Sequence, residues 1–167
     1  MNNGSFQALK LFSVNSCPYG LTYEQWSIKW WSWLLKIPIQ NNPVNDDTGR
    51  NAYLGQDDAD VFFLCQTFGQ NKPNPSRQVS VQKGKSLFMP LINWISTAPE
   101  DGQTDNDLIT VAKSKMDTIR DLKIILNGNL FFKDFSRYRV QSKPFCVDLP
   151  KDNILALSPG TKKMVSD

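Results

Sequence analysis

The 167-residue sequence contains no histidine, and it contains only two glutamates, Glu24 and Glu100. The absence of histidine excludes Ser-His-Asp and Cys-His catalysis, histidine general bases and zinc sites that use histidine. Neither a Gly-x-Gly-x-x-Gly segment nor a phosphate-binding loop occurs, so no cofactor is predicted. An enzyme would have to use aspartate, lysine, tyrosine or Cys17 as its reactive groups. These absences favour a protein without catalytic activity, and an aspartate-based, histidine-free hydrolase is the alternative.

Cysteine is also scarce. The three cysteines, Cys17, Cys65 and Cys146, do not have the spacing of metal ligands and cannot all pair with one another. Cys65 lies in an apolar segment, which predicts a buried thiol that packs like a small hydrophobic side chain. A single disulfide that involves Cys17 or Cys146 stays open for an oxidising compartment, so the sequence does not decide the disulfide state.

Long apolar runs are missing as well. No run approaches the roughly 18 consecutive apolar residues that a membrane-spanning helix needs. A hydrophobic content of 40% and a mean hydropathy of −0.39 are typical of a soluble globular protein. The first 20 residues lack the basic and apolar regions of a signal peptide. The sequence therefore predicts a flexible N-terminus at 1–17 followed by one domain at 18–167, without indicating a compartment.

The net charge is only +3. Basic residues alternate with acidic and apolar residues along the chain and form no dense basic patch. Because nucleic-acid binding needs a cluster of positive charge, no nucleic-acid partner is predicted.

Tryptophan, in contrast, is concentrated in one short segment. The stretch between Thr22 and Pro38 contains four of the five tryptophans: Trp26, Trp30, Trp31 and Trp33. Thr22 with Gln25 three residues later forms a capping-box pattern, and Pro38 cannot continue a helix. The sequence therefore predicts an amphipathic helix between these two ends.

Burial of one indole removes roughly 150–250 Å² from water, which contributes about 4–6 kcal/mol as an upper bound. This area predicts that the indoles form a core between the helix and a β-sheet. Two alternatives are an aromatic platform for a ligand or a sugar, with Trp31 as a candidate contact, and a helix on a membrane surface. The membrane alternative is disfavoured because only Lys29 and Lys36 supply positive charge inside the helix.

Extended segments dominate the remaining chain. Apolar runs and polar–apolar alternation predict strands at 61–68, 77–82, 86–94, 138–142, 145–149 and 153–157. Asn127-Gly128 between two apolar runs predicts a β-hairpin. Helical spacing after Thr104 and Asp105, either of which can cap a helix, predicts a second helix near 105–120. The predicted fold class is therefore mainly β with two helices.

An acidic stretch precedes the first predicted strand. Asp57, Asp58 and Asp60 carry the oxygen ligands that calcium prefers, which makes them candidate metal ligands. The stretch does not match an EF-hand loop, because no glutamate stands at the twelfth position. Acidic loops before strands also occur without metal, so the metal prediction stays open.

These motifs together resemble an uncharacterised family of archaeal and bacterial proteins. The resemblance rests on residues in the order Tyr19-Gly20, Trp26, Lys29-Trp-Trp31, Trp33, Pro38, Asn42-Pro43, Asp47-Thr-Gly49, Val61-Phe-Phe-Leu64, Gly69, Arg77, Val81, Gly84-Lys85 and Pro90 to Asn93. It implies a single jelly-roll-like β-sandwich that follows a Trp-rich N-terminal helix. Many members resemble exported proteins, which suggests an envelope-associated module, and no biochemical activity is attached to the family.

The resemblance also suggests candidate site residues. Arg77, Lys85 and Asn93 are its polar residues in and beside the predicted strands, and they are predicted to share a polar ligand site. The resemblance implies that family members extend beyond Asp167, so the chain is expected to lack their final strands and to leave a sheet edge open. An open edge recruits another strand, which predicts self-association. The predicted function is a non-catalytic module that binds an unidentified ligand or partner, with a structural or assembly protein as a further alternative.

Overall fold

A computed structural model of the chain describes residues 11–67, 76–120, 122–126, 128–132 and 136–167. The helices and strands follow one another in the order α1 (Tyr23–Lys36), β1 (Val61–Phe63), β2 (Ser86–Phe88), β3 (Ile95–Thr97), α2 (Asp105–Met116), β4 (Ile124–Leu126), β5 (Asn129–Phe132), β6 (Phe145–Leu149) and β7 (Gly160–Ser166). Short 3₁₀ turns occur at Pro18–Gly20, Ile39–Asn41, Pro43–Asn45 and Ser136–Tyr138.

Both predicted helices are confirmed, including their N-terminal caps. The Thr22 hydroxyl accepts a hydrogen bond from the backbone N–H of Gln25, and the Gln25 side chain accepts one from the Thr22 backbone. Thr104 and Asp107 form the same reciprocal pair at the start of α2. These pairs satisfy donors that a helix leaves without an internal partner. The second helix ends at Met116, four residues before the predicted end.

The predicted β-sandwich is wrong. In the residues that the structure describes, the strands form a parallel pair β1–β2, a hairpin β4–β5 and a three-stranded antiparallel sheet in the order β3-β7-β6. A sandwich requires two sheets that pack face to face. Here helices occupy the faces of the three-stranded sheet instead, so the chain is a small mixed α/β domain.

The two faces of β7 show how the helices cover this sheet. Met164 packs in the cluster of buried residues that includes the four tryptophans of α1. The next residue, Val165, packs against Leu108 and Ala112 of α2. Because successive side chains of a strand point to opposite faces, α1 lies on one face of the sheet and α2 on the other.

The C-terminal strand is not an open edge. β7 pairs with β3 on one side and with β6 on the other. Asp167 follows it and exchanges two backbone hydrogen bonds with Trp94, and its buried carboxylate is paired with Arg139. β7 is therefore the central strand of its sheet, while β3 and β6 are the edge strands, and the predicted open edge and self-association stay predictions.

Several strand predictions also need correction. Residues 77–82 form no ladder, residues 138–142 begin in a 3₁₀ turn, and residues 153–157 form a turn around Asn153. The strand at 145–149 is confirmed as β6 and the hairpin as β4–β5, whose Asn127 lies outside the described residues. Residues 1–10 of the predicted flexible N-terminus also lie outside them. Neither α-helix in the described part is long and apolar enough to cross a membrane.

Candidate functional site

The tryptophans of α1 hold three separate segments of the chain against the helix. The indole N–H of Trp26 donates to the carbonyl of Pro18, that of Trp30 to Leu64, and that of Trp33 to Leu54, at 3.0, 2.8 and 2.8 Å. The side chains of all four tryptophans are buried. The prediction that the indoles form the core is therefore confirmed. Their burial leaves no exposed indole face on α1 for a sugar platform.

A cavity of about 350 Å³ opens beside this core. It is lined by Trp33, Pro43, Ala52, Phe63, Leu64, Cys65, Arg77, Val79 and Met89. Eight of these nine residues present apolar or weakly polar surface, and among the described lining residues only Arg77 is charged. An apolar cavity of this size with one convergent polar group has the usual composition of a small-molecule site.

Arg77 is fixed at the cavity wall by backbone carbonyls. Its Nη1 donates to the carbonyl of Cys65 at 2.7 Å, and its Nη2 donates to that of Pro43 at 2.8 Å. The Nε atom is buried and has no hydrogen-bond partner within the described ranges. No described carboxylate forms an ion pair with the guanidinium. The cavity thus has an oriented positive charge on its wall that forms no ion pair with any described residue.

Cys65 shares this wall with Arg77. Burial raises the pKa of the Cys65 thiol, and the nearby Arg77 opposes that shift without cancelling it. The thiol is therefore neutral near neutral pH and does not supply the missing negative charge. All three cysteines belong to the described residues, where each is a free thiol, with Cys17 and Cys146 exposed.

A second, smaller cavity of about 140 Å³ lies next to the first. It is lined by Trp30, Val44, Gln66, Thr67, Pro90, Ile92 and Asn93. The Asn93 amide nitrogen is buried and makes no hydrogen bond in the part of the chain described. Residues adjacent in sequence, such as Pro43 and Val44 or Cys65 and Gln66, line the two cavities, so the cavities lie side by side.

The structure does not bring the predicted ligand residues into one cavity. Arg77 lines the larger cavity, Asn93 lines the smaller one, and Lys85 and Trp31 line neither. The ammonium group of Lys85 donates to the carbonyl of Asp58 at 2.7 Å. Trp31 packs edge-on against Trp30, and its indole nitrogen is without a partner among the described residues. A shared polar site of Arg77, Lys85 and Asn93 is therefore not part of the function proposed below.

In the acidic stretch, Asp58 forms hydrogen bonds with the backbone at the start of β1. Asp58 accepts hydrogen bonds from the backbone N–H groups of Asp60 and Val61 and pairs with Lys29 at 2.6 Å. Within the described residues no three Asp, Glu or Cys side chains come together as a metal site. The calcium ligands suggested for Asp57, Asp58 and Asp60 thus stay a sequence prediction, with Asp58 already engaged in protein contacts.

Asp58→Asn is expected to lower the free energy of unfolding by about 1 kcal/mol at pH 7, because Lys29 is half exposed and solvent weakens the pair. Burial alone would raise the pKa of Asp58, but hydrogen bonds from Lys29, Asp60 and Val61 outweigh it and lower the pKa. The stabilisation is therefore complete above the ordinary aspartate pKa near 4 and disappears as the pH falls through the lowered folded-state pKa.

Urea unfolding at pH 7 and pH 3 measures this difference. The gap between wild type and Asp58→Asn should narrow at the lower pH. The exposed neighbour Asp57 provides the matched control, and Asp57→Asn should leave stability unchanged at both pH values. A gap for Asp58→Asn of the same size at both pH values would contradict the assigned role of the carboxylate.

The shifted carboxyl pKa values in the described chain all move in one direction. They are lowered at Asp46, Asp58, Glu100, Asp107 and Asp117. Burial opposes this at Asp46 and Asp58, but hydrogen bonds from N–H and O–H groups outweigh it, and such bonds dominate at the other three. A hydrolytic general acid needs a raised pKa, so these five carboxyls do not provide the acid of an aspartate-based hydrolase.

Arg77 was predicted from the sequence as a ligand residue, whereas the cavity around it was not predicted. The walls come from segments far apart in sequence, Pro43, Ala52 and Met89 among them. Trp33 belongs to the tryptophan segment of α1, and Phe63, Leu64 and Cys65 belong to the apolar run at 61–68, but neither pattern places these residues beside Arg77. Comparisons with models of known protein families, with curated proteins and with solved structures found no match to this chain. No relative therefore supplies a function, and the family resemblance has no counterpart in these comparisons.

Proposed function

We propose that the protein is a non-catalytic binding module whose small-molecule ligand occupies the larger cavity between α1 and β1. The observation that carries this proposal is the composition of the cavity: about 350 Å³ bordered by apolar side chains, with Arg77 as the single charged group among the described lining residues. Small-molecule sites usually have volumes of about 300–1,000 Å³ and few polar groups, which fix the orientation of the ligand.

The rigidity of the cavity wall supports the same proposal. Trp33 is held by its hydrogen bond to Leu54, and Arg77 by its bonds to Cys65 and Pro43. Side chains that are fixed before binding do not have to be ordered by the ligand, which lowers the entropic cost of association. The cavity is therefore suited to binding without a large rearrangement.

Cys65 allows a direct test, because it lines the cavity and its buried thiol should react slowly. In a Cys17→Ser, Cys146→Ser variant, Cys65 is the only thiol. Octanoate and its neutral isostere octanamide serve as probes. We expect at least one of them to raise the melting temperature of the protein and to slow modification of Cys65 in a saturable manner.

The control variant is Cys65→Ser, Cys146→Ser, in which the exposed Cys17 is the only thiol. The same probes should leave its rate of modification unchanged. If neither probe changes the melting temperature or the reactivity of Cys65, the proposed function is wrong.

A second candidate function is self-association, which one surface feature favours. Four large apolar side chains in β2 and in the segment that follows it are exposed: Leu87, Met89, Ile92 and Trp94. Exposed apolar residues concentrated in one segment are typical of a surface that contacts another protein. Light scattering at micromolar concentration tests this candidate, and a monomer of 19.0 kDa with no concentration dependence would exclude it.

A further inference from the structure

We infer that the ligand of the larger cavity is an organic anion, with a carboxylate that pairs with Arg77 and an apolar body that fills the remaining space. This inference rests on the proposed function and names the chemical class of the ligand. It is carried by the Arg77 guanidinium, which forms no ion pair with a described residue and lies on the wall of a cavity whose other described lining residues carry no charge.

The positive charge of Arg77 requires compensation inside the cavity. A guanidinium stays protonated at all accessible pH values, so its charge cannot be removed by titration. A half-buried charge is costly unless an opposite charge or several hydrogen bonds compensate it. Arg77 has two carbonyl acceptors but forms no ion pair in the chain as described. A ligand that supplies the opposite charge would remove this deficit.

Neighbouring groups of the protein do not supply it. The raised pKa keeps the Cys65 thiol neutral. The carboxylate of Asp46 is near enough to raise the pKa of the Cys65 thiol, but it accepts hydrogen bonds from Thr48 and Asn51 and forms no ion pair with Arg77. The sequence from 68 to 75, between Cys65 and Arg77, contains no acidic residue. The counter-ion therefore has to come from outside these segments.

The free N–H donors of Arg77 are arranged to bind a carboxylate. A guanidinium carries five N–H bonds, and the two carbonyls of Pro43 and Cys65 each accept one hydrogen bond from Arg77. The Nε–H has no partner among the described atoms. Because these carbonyls hold the plane of the group in place, the remaining donors are oriented in advance. Arginine donors arranged in this way match the two oxygens of a carboxylate.

The surroundings of Arg77 indicate a monoanion. One cation compensates one negative charge, whereas a phosphate monoester carries nearly two at neutral pH and would leave charge unpaired in an apolar cavity. No lysine is among the described residues that line the cavity, and two lysines of the neighbouring segments are engaged with Asp58: Lys29 pairs with its carboxylate, and Lys85 donates to its carbonyl. A carboxylate therefore fits the charge of this site better than a phosphate.

The volume limits the size of the apolar body. A cavity of about 350 Å³ holds about a dozen water-sized volumes of roughly 30 Å³ each. Aliphatic or aromatic acids with about ten to thirteen non-hydrogen atoms have this size. The aromatic walls formed by Trp33 and Phe63 accept a flat ring as well as a flexible chain.

Two matched ligand pairs test the inference on the wild-type protein by isothermal titration calorimetry. Octanoate is compared with octanamide, and 3-phenylpropionate with 3-phenylpropanamide, so that each pair differs in the charge of one group. We expect the acid to bind at least about tenfold more tightly than its amide in one or both pairs, since charge-assisted hydrogen bonds are the stronger ones.

Arg77→Gln should reduce that ratio to near one, and Arg77→Lys should retain part of it because the charge remains. Arg120→Gln is the matched control, since Arg120 also donates to two backbone carbonyls but does not line the cavity. It should leave the ratio unchanged. Circular dichroism establishes that each variant is folded, and the comparison of ligand pairs on the wild type remains decisive if Arg77→Gln does not fold.

The possible outcomes distinguish failure of the anion assignment from failure of the proposed function. Acids and amides that bind equally well to the wild-type protein would overturn the anion assignment and leave the cavity as a binding site. Absence of binding by all four compounds would overturn both. Preference for the acids that persists in Arg77→Gln would show that another group recognises the carboxylate.

Discussion

Trp30→Ala is expected to lower the free energy of unfolding by about 3–5 kcal/mol, which is enough to unfold most of a marginally stable domain. The Trp30 side chain is only 3% exposed and packs against Trp31 and Trp33. Removal of the indole leaves a cavity in the core and deprives the carbonyl of Leu64 of its hydrogen bond. Urea unfolding followed by circular dichroism measures the loss.

Two further substitutions separate packing from hydrogen bonding. Trp30→Phe keeps an aromatic ring but loses the donor, so a smaller loss of about 1–2 kcal/mol is expected. Trp94 is 40% exposed, and Trp94→Ala should change stability far less than the substitution in the core. If Trp30→Ala and Trp94→Ala had similar unfolding midpoints, the assignment of α1 as the centre of the core would be wrong.

The parts of the fold that were predicted correctly depend on neighbours in sequence. The ends of α1 are set by Thr22, Gln25 and Pro38, which lie within one turn of those ends. The same holds for Thr104 and Asp107 at the start of α2. Capping and helix termination are local interactions, so the sequence pattern alone indicates them.

The parts that were predicted wrongly depend on contacts between distant segments. β7 was not predicted, because the Lys162-Lys163 pair gives it a polar pattern. In the structure Lys162 is buried and pairs with Glu100 in the turn after β3, while Lys163 pairs with Asp105 at the start of α2. No local pattern shows that a partner 62 residues away permits a lysine to lie inside a sheet.

In the candidate site, too, the residues were predicted from the sequence, but the contacts between distant segments were not. Arg77 and Trp33 were both found in the sequence, one through the family resemblance and the other through the tryptophan stripe. Arg77 lies in the same cavity as Trp33 because its guanidinium donates hydrogen bonds to the carbonyls of Cys65 and Pro43. Alternation at 77–82 predicted a strand, but this arginine is held by backbone acceptors outside any ladder. Hydrophobic periodicity does not predict hydrogen bonds from a side chain to the backbone of another segment.

Asn42→Ala is expected to cost about 3 kcal/mol, because the fully buried Asn42 amide satisfies three backbone groups at once. Its Nδ2 donates to the carbonyls of Leu34 and Ile37 at 2.8 and 2.9 Å, and its Oδ1 accepts from the N–H of Val44 at 3.2 Å. These bonds close the C-terminal end of α1, where helix carbonyls have no internal partner. The amide also begins the turn at Pro43–Asn45, which contributes two residues to the cavity walls.

In Asn42→Asp the new side chain has nearly the shape of asparagine but lacks its N–H donors, so the variant tests the two hydrogen bonds that Nδ2 donates. An ionised carboxylate would face two carbonyl oxygens without a hydrogen to donate, so burial should raise the pKa of the introduced carboxyl above its ordinary value near 4. The variant should therefore be least destabilised below pH 4 and lose further stability as the pH rises. Asn45→Ala removes one bond to Ile39 of 3.3 Å and should cost less than about 1 kcal/mol. Equal unfolding midpoints for Asn42→Ala and Asn45→Ala would show that α1 ends without help from the Asn42 amide.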